Sequence, residues 1–408
     1  MSIRKSENIS MESKEQLSKN SRQRIMVFSC EAGGTDAIIP VLPRLSKKND
    51  LLVYGSSDIL IRYEKSGIAC VDLQEETEEI TMDSLRTFMT DSGIDCVLTD
   101  TGAVNMHGRM LWKAANLNQI PSFAILDSWT NYTLRFSNYT FNDIDRFRNN
   151  RKAEVFPDYI FAIDNLSEEE MVEEGIPRSR IVVTGQPFFY SMTDRIRNVA
   201  SDEIADYRKS LGCYDEKKLI LYAPDQILFS GQGVDDISYI GYNEYTVLQD
   251  INYALDEIDP FSDRFYLVAR PHPADINKFW NNAMRSNGDR IPRDFGAPME
   301  IAIASADIVV GMYSTFLVMA YLAGKPTISA QIGLDSEQPL SICRKGLIRC
   351  ADTREVLCQQ IDLAYKGIVN GPGVYNVDSS DPAEVICRYI EKVMTDKSKD
   401  KGVYKCTR

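Results

Sequence analysis

The sequence predicts an α/β fold of two domains, each built around a parallel β-sheet. Short apolar runs of strand length alternate with segments of helical periodicity over most of the chain. The chain has 408 residues, of which 44% are hydrophobic, so it is too long for one ordinary core and apolar enough for two. A charged stretch at 194–209 separates two sets of runs that look like two copies of one architecture.

In the first half, the run at 25–29 predicts a strand, the glycine-rich residues 31–36 a turn, and 37–45 a helix. Further strands are predicted at 51–54, 96–99, 122–126, 159–163 and 181–183. Helical patterns lie between them at 58–65, 81–92 and 107–117. This alternation indicates a parallel sheet.

In the second half, a helix at 194–209 leads to strands at 218–223, 265–269, 308–310 and 327–329, with helices at 275–284, 299–305, 316–323 and 382–394. The predicted organisation is a disordered tail at 1–23, a first domain at 24–190, a second at 191–380, a helix at 381–396 that packs back toward the first domain, and a tail at 397–408.

The composition excludes several classes of partner. With 46 basic and 59 acidic residues the net charge is -13, which disfavours nucleic acid or an anionic membrane as a general partner. No stretch of about 18 apolar residues occurs, and residues 1–24 lack the apolar region of a secretory signal. The nine cysteines include no Cys-x-x-Cys pair. We therefore expect a cytoplasmic protein with reduced cysteines.

The segment 307–330 contains a strand, a tight turn, a short helix and a second strand. Ser314 or Thr315 can cap the helix, and Tyr313 precedes them. A helix N-terminus at the carboxyl end of a parallel strand offers N–H donors and a positive dipole to a phosphate. Arg270-Pro-His272-Pro follows another predicted strand in the same way. We expect both strand ends to share one anion-binding crevice, whereas the alternative is an ordinary βαβ repeat with an N-cap.

Four motifs resemble those of the GT-B fold, in which two Rossmann-like domains with parallel sheets face an interdomain cleft. CEAGGTD at 30–36 resembles the first glycine turn of lipid A disaccharide synthase and of the peptidoglycan N-acetylglucosaminyltransferase. GIPRSRIVVTGQP at 175–187 resembles the segment before the interdomain hinge. RPHP at 270–273 resembles a motif of CDP-glycerol glycerophosphotransferases and some bacterial sialyltransferases. STFLVMAYLAGKP at 314–326 resembles the donor-binding pattern, and the resemblance covers 24–394.

The resemblance implies a binding site for a nucleotide-activated sugar. The residues that it places in contact with this substrate are Arg270, His272, Tyr313, Ser314, Thr315, Gly33, Gly34 and Gln186. The carboxylate that usually binds the donor ribose falls on Met319, whose thioether is a weak hydrogen-bond acceptor, so ribose recognition must differ. No cofactor or metal is expected, because helix dipoles and basic side chains can stabilise the leaving nucleotide.

The catalytic base is expected among carboxylates at neighbouring strand ends. Asp127 follows the strand at 122–126, and Asp36 lies where several relatives have a histidine base. Glu31 flanks the same glycine turn, and each carboxylate could instead cap a helix. His272 is a candidate for assisting departure of the phosphate, with a packed structural role as the alternative.

Two loops are candidates for substrate contact. Residues 127–136 mix aromatic and amide side chains, which either line a sugar site or form a buried cluster that closes the first domain. Residues 225–245 are long and glycine-rich, which indicates either a mobile lid or a disordered loop.

These features predict a metal-independent glycosyltransferase that serves surface polysaccharide or glycoconjugate assembly. Its partners would be a nucleotide-sugar donor and a carbohydrate or small-molecule acceptor, with a homodimer left open. One alternative is an enzyme like UDP-N-acetylglucosamine 2-epimerase, with Asp100, Asp127 and His272 as acid and base groups. The others are a polyol-phosphate transferase and an inactive GT-B scaffold that binds a ligand or partner.

Overall fold

The computed structural model describes residues 22–77, 79–214, 216–227, 240–272, 278–294, 296–368 and 380–403. They fall into two units: unit 1 comprises Met1–Phe188 and Val377–Arg408, and unit 2 comprises Phe189–Asn376. Residues 1–21 of the first predicted tail, residues 404–408 of the second, the middle of the glycine-rich loop and the start of the helix predicted at 275–284 lie outside the described residues. The second tail was predicted to begin at 397, but the last helix continues to Val403.

Unit 1 contains a seven-stranded sheet in which every pairing is parallel. Its strands are β1 Gln23–Ser29, β2 Asn49–Gly55, β3 Val71–Asp72, β4 Cys96–Asp100, β5 Ser122–Ile125, β6 Tyr159–Ala162 and β7 Ile181–Val183. The spatial order is β3-β2-β1-β4-β5-β6-β7, so the direction of winding reverses between β1 and β4. In doubly wound sheets the crevice at the carboxyl end of such a switch point is the usual ligand site.

Unit 2 contains a second parallel sheet, of five strands. Its strands are β8 Lys218–Ala223, β9 Phe265–Ala269, β10 Ile308–Gly311, β11 Thr327–Ala330 and β12 Cys350–Ala351. The order β12-β11-β10-β8-β9 places the switch point between β8 and β10. Val310 pairs with Tyr222 on one side and with Ile328 on the other, so the carboxyl ends of these strands lie level.

Helices cover both sheets. They are α1 Ala32–Ile38, α2 Leu42–Leu45, α3 Leu60–Lys65, α4 Leu73–Glu76, α5 Met82–Asp91, α6 His107–Leu117, α7 Tyr132–Arg135, α8 Ile144–Asn149, α9 Asn165–Glu173, α10 Pro187–Arg197, α11 Ser201–Ser210, α12 Glu244–Ile258, α13 Met299–Ser305, α14 Thr315–Leu322, α15 Ser341–Arg344, α16 Arg354–Tyr365 and α17 Pro382–Val403. Short 3-10 turns are Ser57–Ile59, Phe141–Asp143, Arg178–Arg180 and Lys278–Asn281.

Three helix predictions were wrong in detail. The glycine-rich residues after β1 form the helix α1 itself, with Glu31 as N-cap, and the chain breaks before α2 because Pro40 has no N–H to donate. The single helix predicted at 194–209 is two helices, α10 and α11. Among the described residues of 275–284 only the 3-10 turn Lys278–Asn281 forms, and Met284 makes an isolated antiparallel bridge to Arg290.

Helix α17 packs in the core of unit 1. Ile386 and Ile390 are fully buried in one cluster with Ile25 and Leu98 from the sheet. Arg44 forms an ion pair with Asp381 at the start of the helix. Among the described residues, no helix combines the length and the apolar character needed to cross a bilayer.

Candidate functional site

At the switch point of unit 1, a buried carboxyl joins two neighbouring strands. Asp100 ends β4, and its Oδ2 accepts hydrogen bonds from the N–H groups of Cys30 (2.8 Å) and Glu31 (3.1 Å), which follow β1. Asp100 is only 1% exposed. Burial raises the pKa of Asp100 to about 7, with further increases from Glu31 and Asp127 that the two N–H donors partly offset. This carboxyl can therefore change protonation state near neutral pH.

Two glycines of α1 lie directly against the carboxylates. A Cβ on Gly34 would be 2.3 Å from Cβ of Asp100, and a Cβ on Gly33 would be 2.6 Å from Oδ2 of Asp127. Only glycine allows this approach without movement. Gly33 is exposed and Gly34 is buried, so Asp127 lies at the solvent side of the cluster.

Asp127 is held by a buried arginine. Its Oδ1 accepts a hydrogen bond from Nη1 of Arg135 at 2.6 Å, and the two side chains are 10% and 6% exposed. Nη1 of Arg135 also donates to the carbonyl (3.2 Å) and hydroxyl (3.0 Å) of Thr101, and Nε donates to the carbonyl of Thr130 at 2.9 Å. Burial alone would lower the pKa of Arg135, but Asp127, Glu31 and Asp100 raise it, so the guanidinium stays charged.

The other two acidic candidates have local structural partners. The Glu31 carboxylate accepts hydrogen bonds from the N–H groups of Ala103 and Val104, the latter at 2.9 Å. Asp36 accepts from Nη1 of Arg62 through both carboxylate oxygens, each at 3.0 Å. The structure thus brings Glu31, Asp100 and Asp127 together, whereas Asp36 is paired with α3.

The aromatic segment after β5 is buried, which matches the second of its two predicted roles. Tyr132 and Phe136 are 2% and 0% exposed, and the Phe136 ring stacks on Trp112 at 5.8 Å between centroids. The Trp129 indole donates to Asp164 at 2.8 Å. These rings fix the segment that contains the short helix α7 and its last residue Arg135, and so position Asp127.

At the switch point of unit 2, Asp225 follows β8 and binds the turn that follows β10. Its Oδ2 accepts a hydrogen bond from the Tyr313 N–H at 2.9 Å, and the Ser314 N–H also bonds to this carboxylate. Burial raises the pKa of Asp225 to about 7; Glu244 raises it further, and the two N–H groups lower it. The Tyr313 and Ser314 N–H groups, predicted to bind phosphate, are thus taken by a carboxylate in this structure.

The N-terminus of α14 keeps other donors. Among the described residues, nothing accepts a hydrogen bond from the N–H groups of Thr315 or Phe316. Three buried polar atoms around this turn likewise have no partner within the described parts of the chain: Oγ of Ser314, Oη of Tyr242 and Oε1 of Gln331. Ser314 follows β10, Gln331 follows β11, and the Tyr242 hydroxyl interacts with Tyr313. Because buried polar groups are normally hydrogen-bonded, three such atoms near this turn indicate a place that a polar ligand or water completes.

Arg270 lies at the same edge of the sheet. Its guanidinium carbon is 5.6 Å from the ring centroid of Phe316, in the first turn of α14. Nη1 pairs with Asp294, and Nη2 donates to the carbonyl of Ala297 at 2.7 Å. The predicted approach of Arg270 to the helix start is therefore present, and part of its charge is neutralised by Asp294.

The remaining predicted residues lie as follows. His272 is exposed two residues beyond Arg270. Gln186 is 4% exposed, just after β7 in unit 1. Met319 is fully buried in α14, so it cannot contact a ligand at the surface. Sequence reasoning missed Asp225, although a carboxylate two residues after a strand was a usable signal.

Comparison with known proteins gives the fold. No family model matches the sequence, and no curated protein shows significant sequence similarity to it. The UDP-GlcNAc 2-epimerase from Methanocaldococcus jannaschii superposes with a TM-score of 0.63 at 13% identity, over 91% of this chain and 100% of that one. A putative UDP-N-acetylglucosamine 2-epimerase from Listeria monocytogenes gives 0.62 at 14% identity, over 92% and 98%. A glycosyltransferase from Rickettsia africae gives 0.57 at 13%, over 94% and 98%.

The fold is of the GT-B type. This chain, with its parallel sheets of seven and five strands, superposes on these structures over more than nine-tenths of its length, which confirms the predicted fold class and the resemblance to the GT-B fold. Within the described ranges, no group of three or more His, Cys, Asp or Glu side chains is arranged to hold a metal ion; independence from metal stays a prediction.

Proposed function

We propose that this protein is a glycosyltransferase that uses a nucleotide-activated sugar. The observation that carries the proposal is Asp127: Arg135 holds one of its carboxylate oxygens, and the other lies beside the exposed Gly33 at a topological switch point. A carboxylate fixed in this way can accept the proton of an acceptor hydroxyl. The GT-B fold and the nucleotide-sugar enzymes among its structural neighbours support the proposal.

In this proposal, unit 2 binds the nucleotide-sugar donor. The N–H groups of Thr315 and Phe316 and the helix dipole of α14 would bind the phosphates, as helix N-termini do elsewhere. The unpartnered hydroxyls of Ser314 and Tyr242 would complete their hydrogen bonds on the same ligand. Arg270 adds positive charge near the first turn. Because Met319 is buried, the ribose must be recognised by other groups.

The test is to incubate the protein with each of a panel of nucleotide sugars and to measure the release of nucleotide with and without candidate acceptors. Asp127→Asn should reduce turnover by about 10²- to 10⁴-fold, the usual contribution of a general base. Its nucleotide affinity should stay unchanged, because the donor groups lie in unit 2. Asp36→Asn is the matched control, since that carboxylate pairs with Arg62. Equal losses in both variants, or full activity of Asp127→Asn, would contradict the assignment.

Epimerisation of a UDP-sugar is the second candidate, and Asp100 favours it. Inverting a carbon centre needs one group that removes a proton and another that returns it. Asp100 has a pKa near 7, and its charge interacts with Asp127, so the cluster contains a protonatable carboxyl beside an ion-paired carboxylate. Incubation with UDP-N-acetylglucosamine alone in heavy water separates the candidates. Deuterium at the sugar C2 without any acceptor supports epimerisation; its absence, with sugar transfer to an acceptor, supports the glycosyltransferase.

A further inference from the structure

The side chain of Arg270 is held in place at the carboxyl end of β9. Nη1 pairs with the carboxylate of Asp294, and Nη2 donates to the carbonyl of Ala297 at 2.7 Å. The side chains of the ion pair are 15% and 4% exposed. Because a guanidinium is planar, bonds at both terminal nitrogens fix its orientation, and its carbon lies 5.6 Å from the ring centroid of Phe316.

Asp294 is itself fixed by main-chain and side-chain contacts. Its N–H donates to the carbonyl of the last residue of β9 at 2.9 Å. Oδ1 accepts hydrogen bonds from the N–H groups of Gly296 and Ala297, each at 3.1 Å. Oδ2, which pairs with Arg270, also accepts from the hydroxyl of Tyr207 in α11 at 2.9 Å. This buried carboxylate therefore cannot rotate without breaking several hydrogen bonds.

Asp294 has two effects of opposite sign on an anion at the start of α14. Its negative charge opposes such an anion. Its contact with Arg270, however, removes rotational freedom that a long arginine side chain would otherwise lose on binding a ligand. The Tyr207 hydroxyl reduces the first effect, because its dipole offsets part of the charge on the oxygen that it shares with Arg270. Burial, together with Asp294, raises the pKa of Tyr207, so this hydroxyl keeps its proton and remains a donor.

We propose that Asp294 is a positioning residue that holds the Arg270 guanidinium over the first turn of α14, ready to bind the phosphates of a nucleotide. The inference rests on the donor site proposed above. A guanidinium has five N–H donors, so its bonds to Asp294 and Ala297 leave others for a ligand. The gain from holding these donors in place exceeds the cost of the nearby negative charge, and loss of Asp294 therefore weakens anion binding.

The test uses inorganic pyrophosphate, which presents phosphates without a base or a sugar. Its dissociation constant is measured by titration calorimetry on the full-length protein. Asp294→Asn should weaken binding roughly 2- to 10-fold, the effect of leaving one long side chain unrestrained, and Arg270→Ala should weaken it further. In the Arg270→Ala background, Asp294→Asn should cause no additional loss, because it acts through Arg270. Asp307→Asn is the control: this carboxylate pairs with Arg208 at 2.8 Å before β10, at the opposite edge of the sheet.

The outcomes separate the inference from the donor site. An unchanged or tighter dissociation constant in Asp294→Asn, with weaker binding in Arg270→Ala, would overturn the inference and leave the donor site intact. An equal loss in Asp294→Asn with and without Arg270 would also overturn it. If the unaltered protein does not bind pyrophosphate, or if Arg270→Ala binds it equally well, both the donor site and the inference are wrong.

A second measurement needs no ligand. In NMR spectra of the protein labelled at arginine, the Arg270 Nε–H signal is identified by its absence from Arg270→Lys. This signal should carry a ring-current shift that disappears in Phe316→Leu and in Asp294→Asn. Tyr207→Phe removes one hydrogen bond and is the milder variant for both measurements if Asp294→Asn does not fold; it should move the signal in the same direction. A signal that neither variant moves would overturn the inference whatever the protein binds.

Discussion

The protonation of Asp100 gives a prediction whose size follows from the structure. This carboxyl is 1% exposed, and burial raises its pKa from 3.8 to about 7. That rise is roughly three pKa units, and each unit corresponds to about 1.4 kcal/mol. The protonation of Asp100 should therefore change the free energy of unfolding by at most about 4 kcal/mol. Since domains are typically stable by about 5 to 15 kcal/mol, an effect of this size is measurable.

The sign follows from proton binding. Between pH 4 and 7 the folded state holds the Asp100 proton and the unfolded chain does not, so the free energy of unfolding falls as pH rises through this window. Asp100→Asn removes the titration, and its amide oxygen can still accept from the Cys30 and Glu31 N–H groups. The stability of Asp100→Asn relative to the unaltered protein should therefore increase by up to about 4 kcal/mol from pH 4 to pH 7, then level off.

The assay is urea unfolding followed by tryptophan fluorescence at several pH values. Both proteins carry Trp280→Phe, so the signal comes from Trp112 and Trp129 in unit 1. The Trp112 indole donates to the hydroxyl of Thr99, the neighbour of Asp100, at 2.8 Å and so reports on this region. A stability difference that is constant with pH, or one that falls as pH rises, would refute the reasoning.

Three further predictions follow from the described contacts. Gly33→Ala should destabilise unit 1 and lower turnover, because its Cβ would lie 2.6 Å from Oδ2 of Asp127. The control is Gly108→Ala in α6, whose Cβ meets open space; it should stabilise unit 1 by about 0.5 to 1 kcal/mol in the same unfolding assay. Tyr242→Phe should stabilise the free protein by about 1 kcal/mol, since it removes an unpartnered buried hydroxyl, but should reduce the melting-temperature rise produced by nucleotide. Burial alone would raise the pKa of Asp307, but hydrogen bonds from Arg208, the Leu219 N–H and Lys218 lower it. The free energy of unfolding that Asp307→Asn loses at neutral pH should therefore shrink as pH falls below about 4, as measured by urea unfolding. An equal loss at every pH would contradict this.

Strands were the most predictable part of the fold. The strands 181–183, 218–223 and 265–269 agree with β7, β8 and β9 at both ends, because the strands of a parallel sheet are short apolar runs with polar flanks. Helix ends were less predictable where proline or glycine intervened. The two glycines after β1 made this segment look like a turn, but it forms the helix α1. Glycine is needed at both positions because a Cβ there would collide with Asp100 or Asp127, and not because the chain turns.

The sequence predicted where the carboxylates of the candidate site lie, but not which of them are paired with other side chains. Strand-end carboxylates pointed to Asp127 and Asp100, because parallel strands end at one edge of the sheet. Whether each carboxylate is paired depends on side chains that are distant in sequence: Arg62 for Asp36, and Asp294 for Arg270. The same limit concealed the bond from the Tyr313 N–H to Asp225, a residue 88 positions earlier in the chain.

Crystals of the protein soaked with a panel of nucleoside diphosphates and monophosphates give the most direct test of the central claim. We predict density for a phosphate at the start of α14, within hydrogen-bond distance of the Thr315 and Phe316 N–H groups and the Ser314 hydroxyl. Phosphate density at another place, or a helix start that stays free of nucleotide across the panel, would contradict the assignment of the donor site.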